Sequence, residues 1–197
     1  MDLNVVDLKF QGELKWKPFK KVELSALGAY KHSSTTQSHS ITDYSNQAWA
    51  YRAMDDATMR DANPWLYTDP DVANSLPLSV LPVGGFYRET KYGMNSYDFR
   101  GTISYNDVFA EDHVINLFGG MQLTATDRSK TWFNGVGMQY DMGMLPSYDY
   151  LFFKQGKEEN TQYYTVEETR AREVAFFATG TYSYKGRYTV NGTIRYE

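Results

Sequence analysis

The sequence predicts an all-β protein: an antiparallel up-and-down meander of six strands of a transmembrane β-barrel, with two long outer loops, one holding a short helix. Three observations predict it. Apolar and polar residues alternate with period two through six segments, as they do on strands with one greasy and one polar face. Connections alternate between short turns and long excursions, which is how barrel strands join across a membrane. Aromatic residues are plentiful, 16% of 197 with 17 Tyr, 11 Phe and 4 Trp, and they gather at strand ends.

The last hairpin shows the pattern best. Over 172–184, Val174, Phe176, Ala178, Gly180, Tyr182 and Tyr184 form one row, and Ala175, Phe177, Thr179, Thr181 and Ser183 the other. Lys185-Gly186 supplies a tight reversal, since Gly takes the positive φ it needs. Over 187–197, Tyr188, Val190, Gly192, Ile194 and Tyr196 oppose Arg187, Thr189, Asn191, Thr193 and Arg195. Strands of about ten residues suit a tilted crossing of the hydrocarbon core.

The first hairpin is as regular. Residues 7–16 place Leu8, Phe10, Gly12, Leu14 and Trp16 opposite Asp7, Lys9, Gln11, Glu13 and Lys15. Lys17-Pro18-Phe19-Lys20 reads as the turn, because Pro cannot continue a ladder. Residues 21–31 follow with Val22, Leu24, Ala26, Gly28 and Tyr30 in one row. The middle hairpin pairs 96–106 (Tyr97, Phe99, Gly101, Ile103, Tyr105) with 113–126 (Ile115, Leu117, Gly119, Met121, Leu123, Ala125). The mid-row glycines at 12, 28, 101, 119, 180 and 192 are placed to ease curvature or close contact.

The outer loops cover about 32–95 and 127–171. The first opens on polar HSSTTQSHS, expected to be exposed loop, and continues with helical character from about Thr42 to Pro64. Connections this long are functional excursions more often than plain turns. The second carries FNGVG at 133–137, expected to be a turn, then Tyr148, Tyr150, Phe152 and Phe153.

Composition narrows the function. A net charge of −4 shows no basic field for nucleic acid, and zero Cys excludes disulfides and thiolate metal sites. Mean hydropathy is −0.57 and no apolar run is long enough for a transmembrane helix, but alternating strands leave only a weak hydropathy signal. The start, MDLNVVDLKF, lacks the basic and apolar regions of a signal peptide, so a fragment of a longer exported chain is expected.

No catalytic constellation is present, and an enzyme is not expected. His32 and His39 lie seven apart in a polar stretch, a spacing that suits chelation on neither helix nor strand, so no metal site is expected, nor any cofactor. The acidic pairs Asp55-Asp56, Glu158-Glu159 and Glu167-Glu168 read as solvated surface. The candidate ligand-binding residues are the loop aromatics Trp49, Tyr51, Trp65, Tyr67, Trp132 and Tyr148. Flat rings stack on sugar faces or peptide side chains. The alternative is that they pack the loops against one another.

The segment VAFFATGTYSYKGRYTVNGTIRYE (174–197) resembles the barrel of SusC/RagA-type TonB-dependent transporters of Bacteroidetes. HVINLFGGMQLTATD and AWAYRAMDDATMRDANPWLYTDPD are similar to a strand and a helix-bearing outer loop of that family. The resemblance implies a cell outer-membrane barrel of about 22 strands around a plug, in contact with outer-membrane lipid. It also implies a SusD-like surface lipoprotein as partner, import of oligosaccharide or peptide substrates, and energy from the TonB complex through an N-terminal region. Residues 1–197 would then be a partial barrel domain, with plug and signal peptide absent, below the about eight strands at which such barrels close. The competing reading is a soluble or surface-attached all-β carbohydrate-binding module.

Overall fold

The computed structural model describes residues 1–52, 56–81 and 83–197. It is all-β. In chain order the elements are β1 (Asp2–Phe19), β2 (Val22–Ile41), α1 (Asn46–Arg52), α2 (Ala57–Asp61), β3 (Leu66–Tyr67), β4 (Leu78–Ser79), β5 (Gly85–Phe109) and β6 (His113–Gln139). A 3-10 turn (Tyr140–Met142) leads to β7 (Leu145–Pro146), α3 (Tyr150–Glu158), β8 (Tyr164–Tyr184) and β9 (Tyr188–Tyr196). The main sheet has the order β1-β2-β5-β6-β8-β9, with β7 on β6, while β3 and β4 form a separate pair. This is the expected meander. Among the described residues no pairing of β1 with β9 closes it into a barrel.

Chain contacts divide the molecule into two compact units, one of Met1–Val5, Thr35–Tyr92 and Lys130–Glu167, the other of Val6–Ser34, Gly93–Ser129 and Glu168–Glu197. The second unit is described first. Its side chains sort by face as the alternation predicts. On the apolar face, a Cβ at Gly180 would lie 3.3 Å from Leu117 Cδ2 and one at Gly119 3.8 Å from Ala178 Cβ, while the rings of Tyr30 and Tyr97 are 5.0 Å apart. On the other face Ser25 and Thr102 hydroxyls meet at 2.6 Å, Arg100 donates to Gln122 at 2.8 Å, and Thr124 donates to Asp98 at 2.9 Å. Phe118 and Phe177, with rings 5.6 Å apart, are apolar intruders on that polar face.

The β8–β9 register pairs Phe176 with Tyr196, Ala178 with Ile194, Gly180 with Gly192 and Tyr184 with Tyr188, so apolar sits opposite apolar. At the reversal Lys185 and Gly186 both take positive φ, 53° and 62°, as a tight turn here requires. Among the mid-row glycines, Gly119 and Gly180 sit against neighbours, whereas Gly12, Gly28 and Gly192 face open space. Close approach therefore accounts for only some of them.

Several local expectations are corrected. HSSTTQSHS is no loop: β2 runs on to Ile41, and alternate polar residues are as good a strand as apolar ones once a neighbouring strand supplies the ladder. Pro18 lies inside β1, and the turn is Lys20-Lys21; on an edge strand the missing N–H of Pro goes unmissed. The glycine cluster Asn134-Gly135-Val136-Gly137 is buried strand within β6 rather than a turn. Gly137 has φ 71°, and a Cβ there would overlap the Ser147 carbonyl. The excursions are correspondingly shorter, because β5 begins at Gly85 and β8 at Tyr164. The helix expected from Thr42 to Pro64 is two short ones, α1 and α2, and its residues 53–55, Asp55 among them, lie outside the described residues.

The first unit holds the hydrophobic core. Ile41, Ala48, Tyr67, Val80, Leu81, Phe86, Val136 and Phe152 form one buried cluster. The second unit contains no buried apolar side chain among the described residues.

Candidate functional site

The aromatic site of the first unit is assembled by short elements at fixed positions. Asp149 caps α3, its carboxylate accepting from the Leu151 N–H at 3.0 Å, and so starts the helix that carries Phe152 and Phe153. Asn63 shapes the approach to β3: its side-chain oxygen accepts from the Trp65 N–H at 3.0 Å, and its amide donates to the Tyr51 carbonyl at 3.0 Å. Trp65 is thereby held with its ring centroid 5.7 Å from Phe86 and 6.1 Å, stacked, from Phe152. Its buried indole Nε1 meets no acceptor among the described residues, so packing rather than a polar anchor holds the ring.

A cleft of about 340 Å³ opens beside these rings. Trp65, Phe152, Phe153, Tyr163 and Tyr164 wall it, with Lys157, Thr161 and Gln162 among its polar groups. Phe152 and Phe153 stand nearly perpendicular, 5.3 Å apart, and Tyr163 lies 5.7 Å and 5.9 Å from them. Flat walls with one cation and one amide suit a partly apolar solute with a polar or anionic group, such as a sugar ring or a peptide side chain.

The structure distributes the six sequence-predicted aromatics unevenly. Tyr67 is buried within the core cluster, and Tyr51, Trp65 and Tyr148 pack against it. Trp49 stands 64% exposed on α1, and Trp132 is half-buried on β6. Of the six, only Trp65 lines the cleft. The partners it meets there, Phe152, Phe153, Tyr163 and Tyr164, are not among the sequence's ligand candidates. The signal lay in Asp149 followed by YLFF, a cap ahead of an apolar helical face.

An ion cluster fastens the site. Lys154 of α3 donates to Asp69 at 2.5 Å and to Asp71 at 2.7 Å, with the Lys154 and Asp69 side chains mostly buried. Asp69 also accepts from the Asp71 N–H at 2.9 Å. The hydroxyl of Tyr67 donates to Glu158, and Gln155 donates to the Pro64 carbonyl at 3.2 Å and to Glu159 at 2.9 Å. Glu158 and Glu159 are therefore structural acceptors and not merely solvated charge. His32, for its part, contacts Asn95 at 2.7 Å, and no group of metal-binding side chains occurs among the described residues.

These contacts fix the direction of each titration. The Lys154 hydrogen bond, aided by the Asp71 N–H, holds the Asp69 carboxyl below its ordinary 3.8. Hydrogen bonds to Asp69 and then Asp71 hold Lys154 above its ordinary 10.5. Burial, then the bond to Glu158, raises Tyr67 above 10.0, and burial raises Tyr148. Asp69 thus stabilises the site fully above pH 3.8, and that contribution is lost as pH falls through its lower folded value. Lys154 contributes fully below pH 10.5 and loses its contribution as pH rises through its higher folded value. Hydrogen exchange of residues 63–71, corrected for intrinsic rate, should accelerate below pH 3.8 in the wild type. Lys154→Met should show the faster exchange already at pH 7. A variant as protected as wild type would mean that the ion cluster does not fasten the segment.

No protein-family model and no curated protein sequence matches the chain. Among solved structures it is similar to the RagAB peptide transporter, with a TM-score of 0.62 and 18% identity over 98% of this chain and 17% of that one. It is also similar to the RagAB peptide importer in its closed-closed state, with a TM-score of 0.59 and 17% identity over 98% of this chain and 18% of that one. The fold is thus that of a portion of those transporter chains. The present chain spans less than a fifth of the length of either.

Proposed function

We propose that this chain is a section of an outer-membrane, TonB-dependent transporter of the SusC/RagA kind, importing glycans or peptides with a SusD-like surface lipoprotein. The observation that carries the reading is the uncovered apolar face of the second unit. Phe10, Leu14, Ile103, Leu117, Phe176 and Ile194 are exposed there by 49% to 71%, and no apolar side chain of that unit is buried among the described residues. A water-soluble antiparallel sheet buries one face against a core. A barrel wall does the reverse, turning its apolar rows to lipid and its polar rows to the lumen. No helix among the described residues is long and apolar enough to cross a membrane, and strands cross by alternation instead. The likeness to RagAB chains over 98% of this one supports the same reading.

In this reading the protein is a carrier and not a catalyst. The first unit meets the solute, through the cleft beside Trp65 and through exposed Trp49. The edge strands β1 and β9 are continued by further strands of the same barrel, which removes two unpaired edges that would otherwise invite aggregation.

Fractionation of source cells tests it, with an antibody to residues 140–163. The expected result is a heat-modifiable outer-membrane band several times larger than 22.7 kDa. A band near 22.7 kDa in the soluble fraction would overturn the transporter reading in favour of a soluble binding module.

A further inference from the structure

We propose that the cleft beside Trp65 receives the C-terminal aromatic residue of a peptide, with the ring among the aromatic walls and the carboxylate at Lys157. The inference deepens the reading above, on which it rests for the first unit meeting the solute, and it chooses peptide over glycan.

The walls are built in advance and offered to solvent. Phe152 is buried, whereas Phe153, Tyr163 and Tyr164 are 40% to 54% exposed. The end of α3 sets them against one another. Asn160 takes a φ of 54°, and the Thr161 N–H donates to the Gly156 carbonyl at 3.1 Å, so the chain folds back over the last helical turn. A Cβ at Gly156 would lie 3.2 Å from the Thr161 carbonyl oxygen, which is why a glycine suits this close return. The Tyr163 carbonyl then accepts from the Asn134 N–H of β6 at 2.8 Å, fixing that wall to a strand. Walls held in this way lose little freedom when a guest enters.

The rings favour an aromatic guest. Phe152, Phe153 and Tyr163 have centroids 5.3 Å to 5.9 Å apart and planes turned by 58° to 79° from one another. A further ring continues such an edge-to-face arrangement, whereas a sugar ring rests on a flat platform. The polar groups favour a carboxylate. Sugar hydroxyls need acceptors as well as donors. No carboxylate lines the cleft among the described residues, and the Gln162 side-chain oxygen already accepts from the Thr165 hydroxyl at 2.9 Å. Lys157, exposed on the last turn of α3, is the only charged group among the described lining residues, and the Gln162 amide adds N–H donors. An acceptor-only carboxylate answers both. At about 340 Å³ the cleft lies at the small end of ligand sites, which run about 300–1,000 Å³, so it takes one residue and not an oligosaccharide. In a C-terminal aromatic residue, ring and carboxylate hang from a single Cα, a pairing compact enough for one cleft.

Isothermal titration of the full-length protein in detergent tests this, with Ala-Ala-Phe, its C-terminal amide, Ala-Ala-Ala, free phenylalanine and maltotriose as probes. Ala-Ala-Phe should bind at least about tenfold tighter than Ala-Ala-Ala, through burial of the ring. It should bind about fivefold tighter than its amide, through one exposed charge pair. Phe153→Ala should remove most of the first preference and Lys157→Gln the second. Both side chains are exposed, so the amide protection of residues 63–71 should stay as in the wild type. Free phenylalanine, whose ammonium would stand beside Lys157, should bind more weakly than the tripeptide. Equal binding of Ala-Ala-Phe and Ala-Ala-Ala, binding of neither, or preferences unchanged in both variants would overturn the proposal. Displacement of Ala-Ala-Phe by maltotriose would return the cleft to glycans, and free phenylalanine binding as tightly would overturn the peptide source. An outer-membrane protein without these preferences would sink this inference alone, whereas a soluble protein that keeps them would sink only the transporter reading.

Discussion

Leu14→Arg should sharply reduce the heat-modifiable protein recovered in the outer membrane, while Glu13→Arg should leave it near the wild-type amount. The two residues are adjacent on β1 and point to opposite faces. Leu14 is 71% exposed, in the row with Phe10 and Trp16. Glu13 stands in the polar row, its carboxylate 3.3 Å from the Lys15 ammonium. An Arg on the lipid face near the bilayer midplane costs about 2–4 kcal/mol, and one on the lumen face costs little because water reaches it. The comparison cancels everything the two substitutions share, including strand propensity and the added charge. Equal yields from the two variants would show that the faces are assigned wrongly, and with them the membrane reading. The same experiment on a soluble module would also give near-equal yields, since Leu14 would then already face water.

Phe86→Ala should open the first unit without disturbing the strands of the second. Phe86 is fully buried, with Tyr51 edge-on at 5.6 Å and Trp65 at 5.7 Å. The Arg88 guanidinium lies 5.5 Å over its ring, and the Tyr140 hydroxyl donates to its carbonyl at 2.6 Å. Truncating a buried Phe costs about 3–5 kcal/mol in lost transfer energy and cavity. That is a large share of what a small cluster, eight buried residues among those described, can supply. Residues 46–52 and 57–81, together with α3, should become protease-sensitive and exchange amide hydrogens faster, while β9 and its partner stretch of β8 keep their protection. Phe86→Leu should recover much of the loss, since it keeps most of the apolar volume. Unchanged protection in Phe86→Ala would mean that Phe86 is not the centre of the loop core. Loss of protection in β9 as well would mean that the two units unfold as one.

The strands were legible because alternation is a local property. Leu8 to Trp16 and Val174 to Tyr184 announce their faces with no knowledge of their neighbours, and the Lys185-Gly186 reversal is fixed by backbone sterics alone. Polar alternation is silent by the same token: Ser33 to Ser40 look like a loop until β5 lies beside them and supplies hydrogen bonds. The FNGVG stretch misleads for a related reason. Glycine is read as freedom to turn, but here it makes room, because the Ser147 carbonyl lies where a Gly137 side chain would be.

The aromatics divide in the same way. The sequence places Trp49, Tyr51, Trp65, Tyr67, Trp132 and Tyr148 in excursions, Trp132 wrongly since it stands on β6, and nothing in their local pattern tells a packed ring from an offered one. Tyr67 and Phe152 meet in one cluster across more than eighty residues of chain, and Lys154 finds Asp69 at |i−j| of 85. Such contacts depend on where the sheet delivers the ends of β2, β5, β6 and β8. The sequence by itself therefore determined the all-β meander, its two faces and the Lys185-Gly186 reversal, since each depends on neighbours along the strand. Only the tertiary structure decided which rings became core, where the cleft opened and which carboxylates hold a lysine, because those depend on distances that chain order does not encode.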